Sequence, residues 1–88
     1  MLLAIDCGNT NTVFSVWDGA RFVATWRTST EWQRTADQYF VWISTLMQHQ
    51  KLELTIDEVI ISTTAPRVLF NLRVLADRYF NCRPIVVG

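Results

Sequence analysis

The residues that most constrain this chain lie near its start. The apolar run Leu2 to Ile5 ends abruptly in Asp6, Cys7, Gly8, Asn9, Thr10, Asn11 and Thr12, and hydrophobic residues resume at Val13. A continuous apolar run of this length suits a central strand covered on both faces. Thr12 to Trp17 is β-branched and aromatic, which predicts a second strand. Asp18-Gly19 follows as a short hairpin signal, since both residues tolerate positive φ. Arg21 to Arg27 then alternates as a third strand, so the chain is expected to open with an antiparallel meander.

The pattern changes after "TSTEWQR", a polar stretch that reads as a loop. Thr35 and Gln38 form a capping-box pair, and Ala36, Tyr39, Phe40, Ile43, Leu46 and Met47 recur at helical spacing behind it. A polar connection through Gln50 and Lys51 leads to Glu58–Ser62, a short buried strand. Pro66 suits the first turn of a second helix, whose buried stripe is Val68, Leu69, Leu72, Leu75, Ala76 and Tyr79. Asn81 is a candidate left-handed stop, Pro84 to Val87 a last strand, and Gly88 falls where a further loop is expected.

The resulting order is β-β-β-α-β-α-β. Right-handed crossovers turn it into a mixed five-stranded α/β sheet of order 3-2-1-4-5, with two main helices packed on its faces. That is the outline of the ribonuclease-H-like fold, the half-unit of actin-like ATPases and sugar kinases. The expected organisation is one such lobe over residues 1–88, without internal repeats.

Composition removes several alternatives. Eight basic and eight acidic residues give a net charge of zero, scattered along the chain, so no basic patch marks a nucleic-acid partner. No apolar run approaches the roughly 20 residues of a membrane span, and the start lacks a basic signal-peptide flank. Cys7 and Cys82 have no metal-ligand spacing and read as reduced thiols of a cytoplasmic protein. Four tryptophans are many for 88 residues, and they point to apolar surface that a partner covers. Together with two apolar helices they predict self-association unless a second lobe is present.

In such a sheet, ligands gather at the carboxyl ends of the central strands. A carboxylate at Asp6 can hold Mg²⁺ directly or through water. Gly8 lets an anion approach the backbone, and the amides and hydroxyls of Asn9 to Thr12, with successive N–H groups, can form an anion nest. A metal-binding acid beside neutral donors suits a nucleoside triphosphate. A plain Gly-Asn turn, with Asp6 capping its own backbone, is also compatible with "DCGNT" taken alone.

The segments "AIDCGNTNTVFSVWDG", "ATWRTST", "RTADQY", "VIISTTAP" and "RYFNCRPIVVG" together resemble the start of a type III pantothenate kinase. The resemblance implies that Asp6, Cys7, Gly8, Asn9, Thr10, Asn11, Thr12 and Val13 line the phosphates of ATP, with Asp6 assisting Mg²⁺. It also implies transfer of the ATP γ-phosphate to the 4′-hydroxyl of pantothenate, the first step of coenzyme A synthesis. A monovalent cation, K⁺ or NH₄⁺, and a homodimer come with it. The catalytic aspartate, the potassium ligands and most of the pantothenate pocket are implied to lie outside these residues, so the segment alone is expected to be inactive. Cys7 stands where the family usually has an aliphatic residue, and it reads as packing. A non-catalytic module of the same fold and a metal-dependent nuclease remain as alternatives, the second disfavoured by the absent basic surface.

Other polar residues have ordinary explanations. Arg27, Arg34 and Asp37 lie near the first helix; they either surround a substrate mouth or subunit contact or, the preferred reading, are solvated charge, with Asp37 favouring the helix N-terminus. Thr63 and Thr64 either face the cleft beside Asp6 or cap the second helix. His49 lies near a helix C-terminus, where its charge would oppose the dipole favourably. Arg73 and Asp77 form an i,i+4 pair expected to support their helix.

Overall fold

The computed structural model describes residues 1–52 and 55–87. The first strand, β1 (Leu2–Cys7), lies at the centre of a five-stranded sheet. On one side it pairs antiparallel with β2 (Asn11–Trp17), which pairs antiparallel with β3 (Phe22–Ser29). On the other side it pairs parallel with β4 (Glu58–Thr63), followed by β5 (Ile85–Val87). The order β3-β2-β1-β4-β5 is the one expected, and with the helices α1 (Ala36–His49) and α2 (Pro66–Phe80) it makes the ribonuclease-H-like half-unit. Gly88, read as the start of the next loop, lies outside the described residues.

Sheet register decides which side chains share a face. Leu3, Ile5 and Cys7 pair with Val16, Phe14 and Thr12, and Leu3 and Ile5 also pair with Val59 and Ile61. All of these are buried. Tyr39, Ile43 and Met47 of α1 and Val68, Leu72, Leu75 and Ala76 of α2 join the same core. The rings of Tyr39 and Trp42 lie 5.7 and 5.2 Å from that of Phe14. Both helices therefore cover one face. On the other, Leu2, Ala4 and Ile60 are half-buried and Ile85 and Val87 are 55% and 54% exposed. This corrects the expectation of helices on both faces. The β3-α1-β4 and β4-α2-β5 crossovers step across the sheet in the same direction, and two right-handed crossovers of the same direction land on the same side.

Local chemistry sets the helix ends. Gln38 N–H donates to Thr35 Oγ1 (3.2 Å), and Thr35 N–H donates to Gln38 Oε1 (2.8 Å), a complete capping box. Removing it with Thr35→Ala is expected to cost about 1 kcal/mol, read as a lower urea midpoint at unchanged slope. A midpoint equal to that of the parent would show that the cap adds nothing. Pro66 occupies the first position of α2 as expected, and Asn81 ends it in the left-handed conformation at φ 52°, ψ 43°.

The two helices are joined by contacts far apart in sequence. Phe40 stacks on Tyr79 with centroids 4.0 Å apart, and Asp37 accepts hydrogen bonds from the Tyr79 hydroxyl and Arg78. These two donors, Tyr79 first, hold the Asp37 carboxyl below the usual range. Asp37 is thus a tertiary link as well as a first-turn acid. Arg73 and Asp77 form no ion pair among the described residues. An Arg placed before its acid is the less favourable i,i+4 orientation.

The connection after β2 is longer than a two-residue hairpin. It spans Asp18–Arg21, closed by Asp18 N–H to Arg21 O at 3.1 Å, with Gly19 at φ 108°. The Asp18 carboxylate accepts the N–H groups of Arg21 and Ala20 at 2.9 and 2.8 Å. Those bonds hold its pKa below the ordinary value and favour the wider turn. At its other end β3 runs two residues past Arg27, because Thr28 and Ser29 continue the pairing with β2.

Candidate functional site

Asp6 stands one residue before the carboxyl end of β1, between Val13 of β2 and Ser62 of β4. Side chains alternate along a strand, so Asp6 points away from the helices while Ile5 and Cys7 point toward them. It is exposed, and among the described residues its carboxylate has no hydrogen-bond or ion-pair partner. Arg27 pairs with Val13 and shares this face. It is exposed and two strands from Asp6, on the order of 10 Å across the sheet. Arg27 and Asp6 thus bracket half-buried Val13 with opposite charges.

The turn after β1 is closed by Gly8 N–H to Asn11 O at 2.9 Å. Asn9 and Thr10 form its exposed tip, and among the described residues neither backbone N–H has an acceptor within the protein. Gly8 does not adopt the left-handed conformation, and a Cβ there would sit 3.4 Å from Asn11 O, an ordinary contact. The turn itself does not require glycine. What glycine leaves open is access to the backbone from outside.

The remaining residues of the segment divide by face. Asn11 is exposed, and Val13 is half-buried beside Asp6. The side chains of Cys7 and Thr12 are 1% and 0% exposed and turn into the core under the helices. They can serve this turn by supporting it from beneath. Cys7 is a free thiol, as is Cys82.

Two residues of the β3-α1 loop brace the same end of the sheet. Thr30 N–H donates to Thr10 O at 2.8 Å, and Thr30 Oγ1 donates to Gly8 O at 2.8 Å. Arg34 donates to Thr28 Oγ1 and Ser29 O, both at 2.9 Å, pairs with Glu31 at 3.3 Å, and lies over the Tyr39 ring. Arg34 is therefore occupied in holding the loop. Burial pushes the Tyr39 phenol up, against the pull of Arg34. No local pattern singles out Thr30, because its partners lie 18 to 22 residues away.

Beside the turn opens a cleft of about 360 Å³ lined by Asn9, Thr30, Trp32, Thr64, Pro66 and Arg67. Thr64 N–H donates to Cys7 O at 3.4 Å, tying the approach to α2 to the end of β1. Of the two predicted threonines, Thr64 reaches the cleft. Thr63 uses its hydroxyl locally, accepting Ala65 N–H at 2.9 Å. Neither caps α2, whose N-cap is Ala65. The Arg67 guanidinium lies 5.2 Å from the Trp32 ring centre, on the wall of this cleft. His49 is the exposed last residue of α1, remote in sequence from these elements.

An unpaired carboxylate, free backbone donors and a glycine that leaves the backbone accessible meet at the carboxyl end of a central strand. This arrangement can bind a metal-complexed anion. Known proteins agree with the family suggested by the segment matches. The type III pantothenate kinase of Roseobacter denitrificans is 82% identical over all 88 residues, which amount to 34% of that protein. That of Dinoroseobacter shibae is 75% identical over the same span, again 34% of its length. The chain thus spans about a third of these relatives. Among solved structures, the Aquifex aeolicus PPX-GPPA enzyme aligns with 98% of this chain and 35% of its own at a TM-score of 0.46 and 14% identity. The sequence model described as type III pantothenate kinase matches residues 2–88, and the chain belongs to that family.

Proposed function

We propose that this chain is the nucleotide-binding lobe of an ATP-dependent pantothenate kinase, contributing the turn that receives the ATP phosphates. The observation that carries the reading is the unpaired Asp6 carboxylate beside a turn whose Asn9 and Thr10 N–H groups have no acceptor among the described residues. These groups fit Mg²⁺ and a polyphosphate in kind: a hard anionic oxygen for the metal, neutral N–H donors for phosphate oxygens. Asp6 would hold the Mg²⁺, which supplies charge neutralisation to the phosphates. The turn N–H groups and the side chains of Asn9, Thr10 and Asn11 orient the phosphate chain, and Arg27 adds positive charge on the same face. Cys7, Thr12 and Val13 act through backbone and packing. Positioning and charge stabilisation of this kind are most of what phosphoryl transfer asks of a protein.

The base that deprotonates the pantothenate hydroxyl is assigned to none of these residues, and the 88-residue chain alone is expected to show no turnover. K⁺ or NH₄⁺, homodimer formation and a cytoplasmic location are parts of the same proposal. Among the described residues no helix is long and apolar enough to cross a membrane. The test is ATP-dependent phosphorylation of pantothenate by the protein extended to its relatives' length. A protein of that length that binds no ATP in the presence of Mg²⁺ would refute the reading.

Gly8→Ala separates binding from folding. The turn has room for the methyl group, so stability should change by less than about 1 kcal/mol. The affinity for Mg-ATP should fall roughly tenfold or more, because the methyl group stands where phosphate approaches. Unchanged affinity, measured by titration calorimetry, would show that the glycine serves no ligand.

A further inference from the structure

The turn that is proposed to meet phosphate is held from behind by a residue of another loop. Thr30 contacts three of its members: its N–H donates to Thr10 O (2.8 Å), its hydroxyl donates to Gly8 O (2.8 Å), and its Oγ1 lies 2.9 Å from Thr12 Oγ1. Thr12 Oγ1 is in turn 3.3 Å from Cys7 Sγ.

These contacts converge on the Gly8 carbonyl. A carbonyl only accepts, so the single hydroxyl proton of Thr30 goes to Gly8 O. Thr30 Oγ1 is then free to accept from Thr12, whose hydroxyl lies between Thr30 Oγ1 and Cys7 Sγ. Cys7 Sγ accepts from the Thr12 hydroxyl at 3.3 Å, and the thiol itself donates weakly to the Gly8 carbonyl at 3.7 Å. The Thr30 hydroxyl and the Cys7 thiol thus both end on the Gly8 carbonyl with the Thr12 hydroxyl held between them, a closed set of contacts in which hydrogen bonds reinforce one another. Thr12 is fully buried, so water does not compete for its place in the set.

Peptide geometry carries the effect outward. The peptide bonds are trans, so the C=O of one residue and the N–H of the next point in opposite directions. Pinning the Gly8 carbonyl toward Thr30 aims the Asn9 N–H away from it. Pinning the Thr10 carbonyl does the same for the Asn11 N–H. Thr30 thus grips the peptide planes on both sides of the exposed tip, Asn9-Thr10, and fixes the direction of the Asn9 and Asn11 N–H groups.

We propose that Thr30 is a positioning residue for the phosphate turn, acting through the Gly8 and Thr10 carbonyls and the buried Thr12 hydroxyl. The inference rests on the nucleotide reading of the turn and is tested so that the two can fail separately. In the protein of family length, Thr30→Val removes the hydroxyl at nearly constant volume, Thr30→Ser keeps it, and Thr12→Val removes only the second link. Steady-state kinetics should show KM for ATP raised about tenfold in Thr30→Val, with KM for pantothenate unchanged. Thr30→Ser should stay within about threefold of the parent, and Thr12→Val should fall between them. The double variant Thr12→Val/Thr30→Val should be no worse than Thr30→Val, since both break one set of contacts.

A role confined to folding would lower the active fraction, and hence the apparent kcat, with both KM values unchanged. That result would overturn the inference, as would equal KM values for ATP in Thr30→Val and the parent. If Thr30→Val does not fold, the remaining pair decides. Thr12→Val must raise KM for ATP at least about twofold while Thr30→Ser leaves it near the parent value, and any other outcome refutes the proposal. A parent protein that does not bind Mg-ATP refutes the nucleotide reading itself.

Discussion

Replacing Asp6 with Asn should reduce ATP-dependent phosphorylation by the family-length protein on the order of a hundredfold, close to 3 kcal/mol of lost transition-state stabilisation, while the protein folds as before. The two halves of this expectation have separate causes. Asp6 is exposed at the end of β1 and makes no hydrogen bond or ion pair among the described residues, so nothing in the fold depends on its charge. An isosteric amide there should leave stability within about 0.5 kcal/mol. The amide cannot serve as an anionic ligand for Mg²⁺, so the loss should appear as a raised requirement for the metal and a lower kcat/KM for ATP. Raising the Mg²⁺ concentration should recover part of the activity, and circular dichroism and the urea midpoint should match the parent. An Asp6→Asn protein retaining more than a tenth of the parental activity would remove Asp6 from the metal site. One that loses activity together with its urea midpoint would show that the carboxylate is structural.

Local signals in the chain were enough for its strand order and helix boundaries. Pro66, Asn81 and the Thr35/Gln38 pair each act within one turn of backbone, and each sits where its chemistry requires. The polar turn was legible for the same reason: Asp6 through Thr10 interrupts an apolar pattern, and the interruption falls at a strand end. What stayed hidden depends on contacts between distant residues. The tie from Asp37 to Arg78 and Tyr79 crosses 41 and 42 residues, and Thr30 reaches Gly8 across 22. Alternation along β1 placed Asp6 and Cys7 on opposite faces, but only the location of the helices shows which face is buried. The apolar run Leu2–Ile5 suggested cover on both sides, yet Leu2 and Ala4 are half-buried. Apolar residues are common on protein surfaces, so such a run is weaker evidence for burial than a buried polar residue such as Thr12.

A large core side chain lies two positions beyond Thr12, on the same face of β2. Phe14 is fully buried, paired with Ile5 on one side and Trp26 on the other, and roofed by Tyr39 and Trp42 of α1. Phe14→Ala should cost about 3–5 kcal/mol: the lost transfer of the ring from water, the unfilled cavity, and the two aromatic contacts. A chain of 88 residues has a total stability on the order of 4–13 kcal/mol, so the substitution consumes a large part of it. Phe14→Leu, which keeps most of the volume, should cost less than about half as much. Urea unfolding followed by tryptophan fluorescence measures both, since Trp42 lies against the ring and Trp26 is its buried cross-strand neighbour. A cost below about 1 kcal/mol for Phe14→Ala would mean that α1 collapses onto the sheet and fills the space. Because β2 also carries Thr12, the collapse would shift the support beneath the turn, and Mg-ATP affinity would fall even in the folded fraction. Unchanged affinity in the folded Phe14→Ala protein would instead show that the turn is held by Thr30 and β1 independently of α1.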